Sequence, residues 1–171
     1  MSKTNTNLFF EEKQRFTQWW MWFFVLTPLA FGMYGGYVQF FQGVYFGDKP
    51  FSNTGLVIFI LFGFAFIGFF WINELHTHIS NKGISIRFFP YTSKTIAWGE
   101  ISHCRVMPYN FVGGWGVRLW TKYGTVYNVK SGQGLFIQLK NKKKCLVGTQ
   151  RPEELKQWLS ELEVARECLT E

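Results

Sequence analysis

Charge is missing from two long stretches of this chain. Trp19–Val38 (WWMWFFVLTPLAFGMYGGYV) and Gly55–Ile72 (GLVIFILFGFAFIGFFWI) run for twenty and eighteen residues without one Asp, Glu, Lys or Arg. That excludes an ordinary amphipathic surface helix at either place. Acid is nearly missing from a third stretch. Between Asn81 and Gln150 the only carboxylate is Glu100, against eleven Lys and Arg, so general acid–base work by paired carboxylates has little to draw on. Cysteine is scarce as well: Cys104, Cys145 and Cys168 are odd in number, widely spaced and form no CxxC pair. They exclude a disulfide framework, fit a reducing compartment, and read as fillers of apolar space. A P-loop, an HExxH pair and a nucleophile elbow are all lacking. His76 and His78, with His103 and Cys104 farther along, do not have the spacing of a zinc motif. The reading is of a chain that is not an enzyme and needs no cofactor or metal.

What is present divides the chain. At 1.5 Å per residue, Trp19–Val38 is about 30 Å long, the thickness of a bilayer core, and Gly55–Ile72 is just long enough. Trp19, Trp20 and Trp22 at one end and Phe69, Phe70 and Trp71 at the other suit a membrane interface. The first run is too long, too aromatic and too far from the start to be a cleaved signal peptide. Residues 1–18 read as a cytoplasmic tail, 19–38 and 55–72 as transmembrane helices, and 39–54 as an external loop. Lys3, Lys13 and Arg15 ahead of the first run outnumber Lys49 in the loop, which places both termini in the cytoplasm of a bacterial inner (plasma) membrane protein. Gly32, Gly35, Gly36, Gly55, Gly63 and Gly68 would let the two helices approach closely, and the Gly32/Gly36 spacing also permits a homodimer.

From Leu75 short alternating runs replace continuous ones. Leu75–Ile79, Ile84–Phe89, Lys94–Ala97, Ser102–Met107, Gly116–Thr121, Gly134–Leu139 and Lys144–Gly148 are seven candidate strands, with Thr125–Val129 an eighth strand or an extended loop. Asn141-Lys142 sits where a tight hairpin turn belongs. Pro152, Glu153 and Glu154 suit a first helical turn, and Leu155, Trp158, Leu159, Leu162, Ala165 and Leu169 make a stripe at helical spacing. Either Thr149 or Arg151 caps that helix.

Trp98-Gly-Glu-Ile101, Asn128–Gly134 and Val147–Leu155 (VGTQRPEEL) resemble bacterial membrane-associated pleckstrin-homology-like domain proteins. The resemblance covers roughly residues 75–169. It implies a mainly-β PH-like barrel of seven antiparallel strands over 75–171, capped by one C-terminal amphipathic helix and preceded by the membrane helical hairpin. It supplies no biochemical role.

The segment after Leu75 carries fourteen Lys and Arg against seven acidic residues, which is the whole formal charge of +7. Lys140, Lys142, Lys143 and Lys144 are its sharpest patch, with Lys82, Arg105, Arg118, Lys122 and Lys130 as company. Trp115 is either an exposed anchor or a core aromatic. The lysines read as a solvated turn that keeps a strand edge from pairing, as a contact for anionic phospholipid headgroups, or as a site for a protein or nucleic-acid partner. The lack of a recognised module disfavours nucleic acid. The expected function is a membrane-anchored adaptor or scaffold that meets the lipid bilayer through two helices and binds a protein partner. The alternative is an electrostatic sensor of anionic lipid.

Overall fold

A computed structural model describes residues 10–47, 50–110 and 112–162. The chain forms two units, Phe16–Ile72 and the pair of segments Met1–Arg15 with Asn73–Glu171.

The first unit is a helical hairpin. α1 runs Trp19–Phe41 and α2 Asn53–Ile72. Small residues let the two approach: a side chain at Gly32 would meet the Phe59 ring at 2.9 Å, and one at Gly63 would meet Leu29 at 3.0 Å. Gly36 likewise lies against Ile60, so both members of the GxxxG pair are used inside the hairpin. Trp22 and Trp71 meet edge to face at 5.9 Å. Gln39 Nε2 donates to the Phe51 carbonyl at 3.0 Å and to Asn53 Oδ1 at 2.6 Å, tying the end of α1 to the start of α2.

The second unit holds two sheets. The first has the order β1-β2-β3-β4, all antiparallel, built from Phe10–Arg15, Glu74–Ser80, Gly83–Phe89 and Thr92–Ala97. Phe10, Ile79, Ile84 and Ile96 form one continuous cross-strand row on its buried face, the arrangement that period-two alternation produces when one face is covered. A 3-10 turn, Trp98–Glu100, follows β4; Trp98 is buried and its Nε1 donates to the Ser80 carbonyl at 2.8 Å.

The second sheet comprises β5 (Ile101–Tyr109), β6 (Gly116–Thr121), β7 (Gly124–Asn128), β8 (Gly132–Leu139) and β9 (Lys144–Thr149) in the order β5-β8-β9-β7-β6. Its central strands bury consecutive residues, Leu135–Ile137 and Cys145–Val147, so both faces are covered there. α3, Pro152–Glu161, buries Leu155, Trp158 and Leu159. Ala165, Leu169 and Cys168 of the expected stripe and cysteine set lie outside the described residues.

All seven expected strands are present, and the doubtful one at Thr125–Val129 is β7. The architecture nevertheless differs from the expected seven-stranded antiparallel barrel. Residues 10–15, ahead of the first apolar run, supply β1, and β7 pairs with β9 in parallel. Among the described residues the strands therefore divide four and five between two open sheets whose outermost members are β1 and β4, β5 and β6. Neither sheet closes on itself, so the PH-like barrel is set aside in favour of a mixed, mostly-β fold.

The expected cellular placement is corrected with it. Most of the described chain is a compact two-sheet unit with ion pairs on its surface, such as Arg15–Glu74 at 2.7 Å. Only length and composition mark α1 and α2 as able to cross a membrane, and a core helix of a soluble protein passes that test too. The structure thus does not describe a multi-pass inner-membrane protein with both termini in the cytoplasm.

Candidate functional site

Most of the conspicuous polar residues are engaged in holding the sheet unit together. β1 turns Phe10, Glu12 and Gln14 inward, with exposures of 2%, 5% and 3%. Buried polar groups need partners, and these are found at the junction of β9 and α3. Thr149 Oγ1 donates to Glu12 Oε2 at 2.6 Å, the Gln150 backbone N–H donates to Glu12 Oε1 at 2.8 Å, and Gln14 Nε2 donates to the Gly148 carbonyl at 2.7 Å. Arg151 completes the clasp, its guanidinium 5.6 Å from the Phe10 ring centre and donating to the Glu11 carbonyl at 3.2 Å. Arg151 occupies the N-cap position of α3, while Thr149 Oγ1 accepts from the Arg151 N–H at 3.1 Å. The Gly-Thr-Gln-Arg step is therefore the receptor for an N-terminal strand. Glu100 is also structural: its carboxylate accepts from the Ala97 N–H at 3.3 Å and its carbonyl from the Lys140 N–H at 2.9 Å.

The histidines do not converge. His76 lies on the outer face of the first sheet, 2.9 Å from Glu11 Oε1. Partial desolvation, the largest single influence on that carboxyl, pushes its pKa up. The hydrogen bonds and charges of His76 and Lys13 together outweigh it, so the carboxyl rests below its usual range. Among the described residues, no three of His, Cys, Asp and Glu group so as to hold a metal ion.

Cys104 and Cys145 are both buried, and both pair with Ile137, one from each side. Two intervening strand spacings put them well beyond disulfide reach. Burial pushes the Cys145 thiol up to about 11, against a smaller downward pull from Lys94, so at neutral pH it is a protonated, unreactive group. Tyr109 and Tyr127 are likewise raised, chiefly by burial.

The structure sorts the basic residues into places. Lys82 is in the β2–β3 turn of the first sheet. Arg105 and Arg118 are mid-strand on β5 and β6, the two outer strands of the second sheet; Arg105 lies 5.9 Å from the Phe136 ring centre. Lys130 follows β7, and its carbonyl accepts from Tyr109 Oη at 2.7 Å. Trp115 is half-buried. These five do not form one site.

Lys122 and the four turn lysines do. β7 and β9 run parallel from Gly124 and Lys144, so the β6–β7 turn and the β8–β9 turn emerge at the same end of the sheet. They are in contact: Gly124 has a φ of 78°, and a Cβ there would run into the Lys144 carbonyl. The β8–β9 turn is closed by Leu139 N–H to the Lys143 carbonyl at 2.8 Å and Lys143 N–H to Asn141 Oδ1 at 3.1 Å, with Lys142 at a φ of 65°. Lys122, Lys140, Lys142, Lys143 and Lys144 are all exposed, and none has an ion-pair partner among the described residues. Lys122 lies 4.9 Å from the Tyr123 ring centre.

One residue at this end escaped the sequence reading. The β6–β7 register slips between Arg118 and Thr121, and in that bulge Trp120 takes a φ of 55° with 94% of its surface exposed, beside the exposed Leu119. A non-glycine aromatic in the left-handed region is an outlier, and such outliers cluster at functional sites. The signal was the Leu119-Trp120 pair, two large apolar residues in succession on a strand that otherwise alternates.

No family model matches the chain, and no curated protein matches it.

Proposed function

We propose that the chain is a non-enzymatic membrane-anchored adaptor: its apolar helical hairpin meets lipid, and its sheet unit binds a partner through the turn end that carries Trp120 and the five lysines. The observation that carries this reading is that Lys122, Lys140, Lys142, Lys143 and Lys144 share one end of the sheet with an almost fully exposed Trp120. A solvated turn has no need of an exposed tryptophan, whereas tryptophan is among the side chains that anchor recognition surfaces. The hairpin supports the lipid half of the reading. Phe41 and Trp19 are 82% and 80% exposed, and Phe23, Phe24, Phe31, Phe62 and Trp71 are exposed with them, an apolar surface far larger than water tolerates on a monomer. The non-enzymatic half draws on the commitment of Glu12, Glu100, Thr149 and Cys145 to internal contacts.

The experiment is in-cell photo-crosslinking from position 120 and from position 142 of the full chain, with Arg87 on the first sheet as the reference position. Adducts from 120 and 142 that are absent from 87 support a binding surface at the turn end. Equal adducts from all three positions, or none from the turns, sink it.

A further inference from the structure

We infer that the partner at this turn end is an anionic phospholipid surface, with Trp120 as the side chain that enters the headgroup zone. The inference rests on the preceding reading of the turn end as a binding surface and adds the identity of what it binds. The chemistry of the cations carries the choice. All five are lysines and none is arginine. Lysine is a compact, strongly hydrated point charge on a flexible stem, depleted from protein–protein interfaces, whereas arginine supplies the planar fork that directional recognition of carboxylate and phosphate uses. Five mobile ammonium groups on two touching turns suit a diffuse field of negative charge, to which each adds attraction without a fixed geometry.

The layout of the site agrees. Its side chains come from two turns that meet at Gly124 and Lys144, which spreads the positive charge over both. Trp120 stands beside one of them in the chain. Its ring is apolar with one N–H, the combination that collects at the boundary between lipid and water. The bulge holds it outward, and Leu119 beside it extends the apolar wedge. Glu100, whose carbonyl accepts from the Lys140 N–H, is exposed and its carboxylate accepts a hydrogen bond from the Ala97 backbone; its single charge leaves the patch positive.

The test uses the full chain placed in nanodiscs of phosphatidylcholine, so that the hairpin is already occupied, and mixed with sedimentable vesicles. Vesicles containing phosphatidylglycerol are expected to pull the discs down and pure phosphatidylcholine vesicles are not, with the association falling steeply as salt rises. Combining Lys140→Glu, Lys142→Glu, Lys143→Glu and Lys144→Glu should weaken it roughly a hundredfold or more. Trp120→Gly, which also relieves the backbone, should weaken it about tenfold by removing the apolar wedge. Equal sedimentation with both vesicle types overturns the inference, as does indifference to charge reversal or to Trp120→Gly. Sedimentation with neither vesicle, together with protein or RNA adducts from position 120, overturns it in favour of that other macromolecule. A chain that will not enter the discs sinks the lipid-buried hairpin instead. It is then sedimented with the vesicles directly, so the two readings fail separately.

Discussion

Phenylalanine and glycine do opposite work in the two units. In the hairpin Phe23, Phe24, Phe31 and Phe62 stand exposed while Gly32, Gly35, Gly36 and Gly63 are buried against neighbouring side chains. In the sheet unit Phe10, Phe88 and Phe136 are buried, and glycines such as Gly124 serve tight turns. The hairpin therefore stabilises itself by close backbone approach and leaves its apolar surface for something else to cover. The sheet unit covers most of its own, and exposes lysine together with Leu119 and Trp120. A unit with an interior should answer to core substitutions, and a unit without one to whatever separates its two helices.

Predictions that test this contrast run from large effects to small. Phe10→Ala should destabilise the sheet unit by about 3 kcal/mol or more, since it opens the row shared with Ile79, Ile84 and Ile96; denaturant unfolding of the full chain followed by sheet circular dichroism reads it. No loss would mean that β1 is dispensable and that the unit's interior begins at β2. Thr149→Val keeps the shape but removes the hydroxyl donor to the buried Glu12, at a cost of about 2 kcal/mol in the same measurement.

Alkaline pH should destabilise the sheet unit. The Cys145 thiol is pushed up to about 11 by burial, and Tyr109 and Tyr127 are raised in the same direction. A raised value means the folded state keeps its proton after the unfolded chain has lost it. The contribution is thus full below the unfolded thiol's range and is lost as pH climbs toward 11. The loss should be on the order of 2 kcal/mol, and Cys145→Ala should flatten the steepest part of the profile. Gly32→Leu has the smallest expected effect on the sheet unit, under about 0.5 kcal/mol. It should nonetheless spread the helices. The yield of a disulfide between Leu29→Cys and Gly63→Cys, whose Cβ positions are 3.2 Å apart, reports that separation and should fall.

The same contrast explains what could be read from sequence. Strands whose apolar residues alternate, such as Leu75–Ile79 and Ile84–Phe89, were legible, as were both apolar helices and the start of α3 at Pro152. β1 was not. Its inward residues include Glu12 and Gln14, which pattern reasoning assigns to solvent, and their partners are more than 130 positions away in the chain. Closure of the strands into a barrel was misjudged for a related reason, because no local signal announces that β7 will lie parallel to β9. Of the site, the lysines were legible as charge, but their union with Lys122 depended on that same parallel pairing. Trp115, set among glycines, drew attention that belonged to Trp120, whose exposure comes from a bulge.

The pairing of Arg15 with Glu74, 59 positions apart in the chain yet bonded at 2.7 Å, sets an order of events during synthesis. β1 leaves the ribosome ahead of the other described strands and can begin to pair with β2 only after the whole hairpin has been made. The receptor for Glu12 comes later still, since Gln150 follows it by 138 positions. At roughly 5–20 residues per second, Phe10 waits on the order of ten seconds for the groups that bury it. The earliest of the described strands is the last to be locked in place, and during that interval a chaperone or a foreign sheet edge has its opportunity.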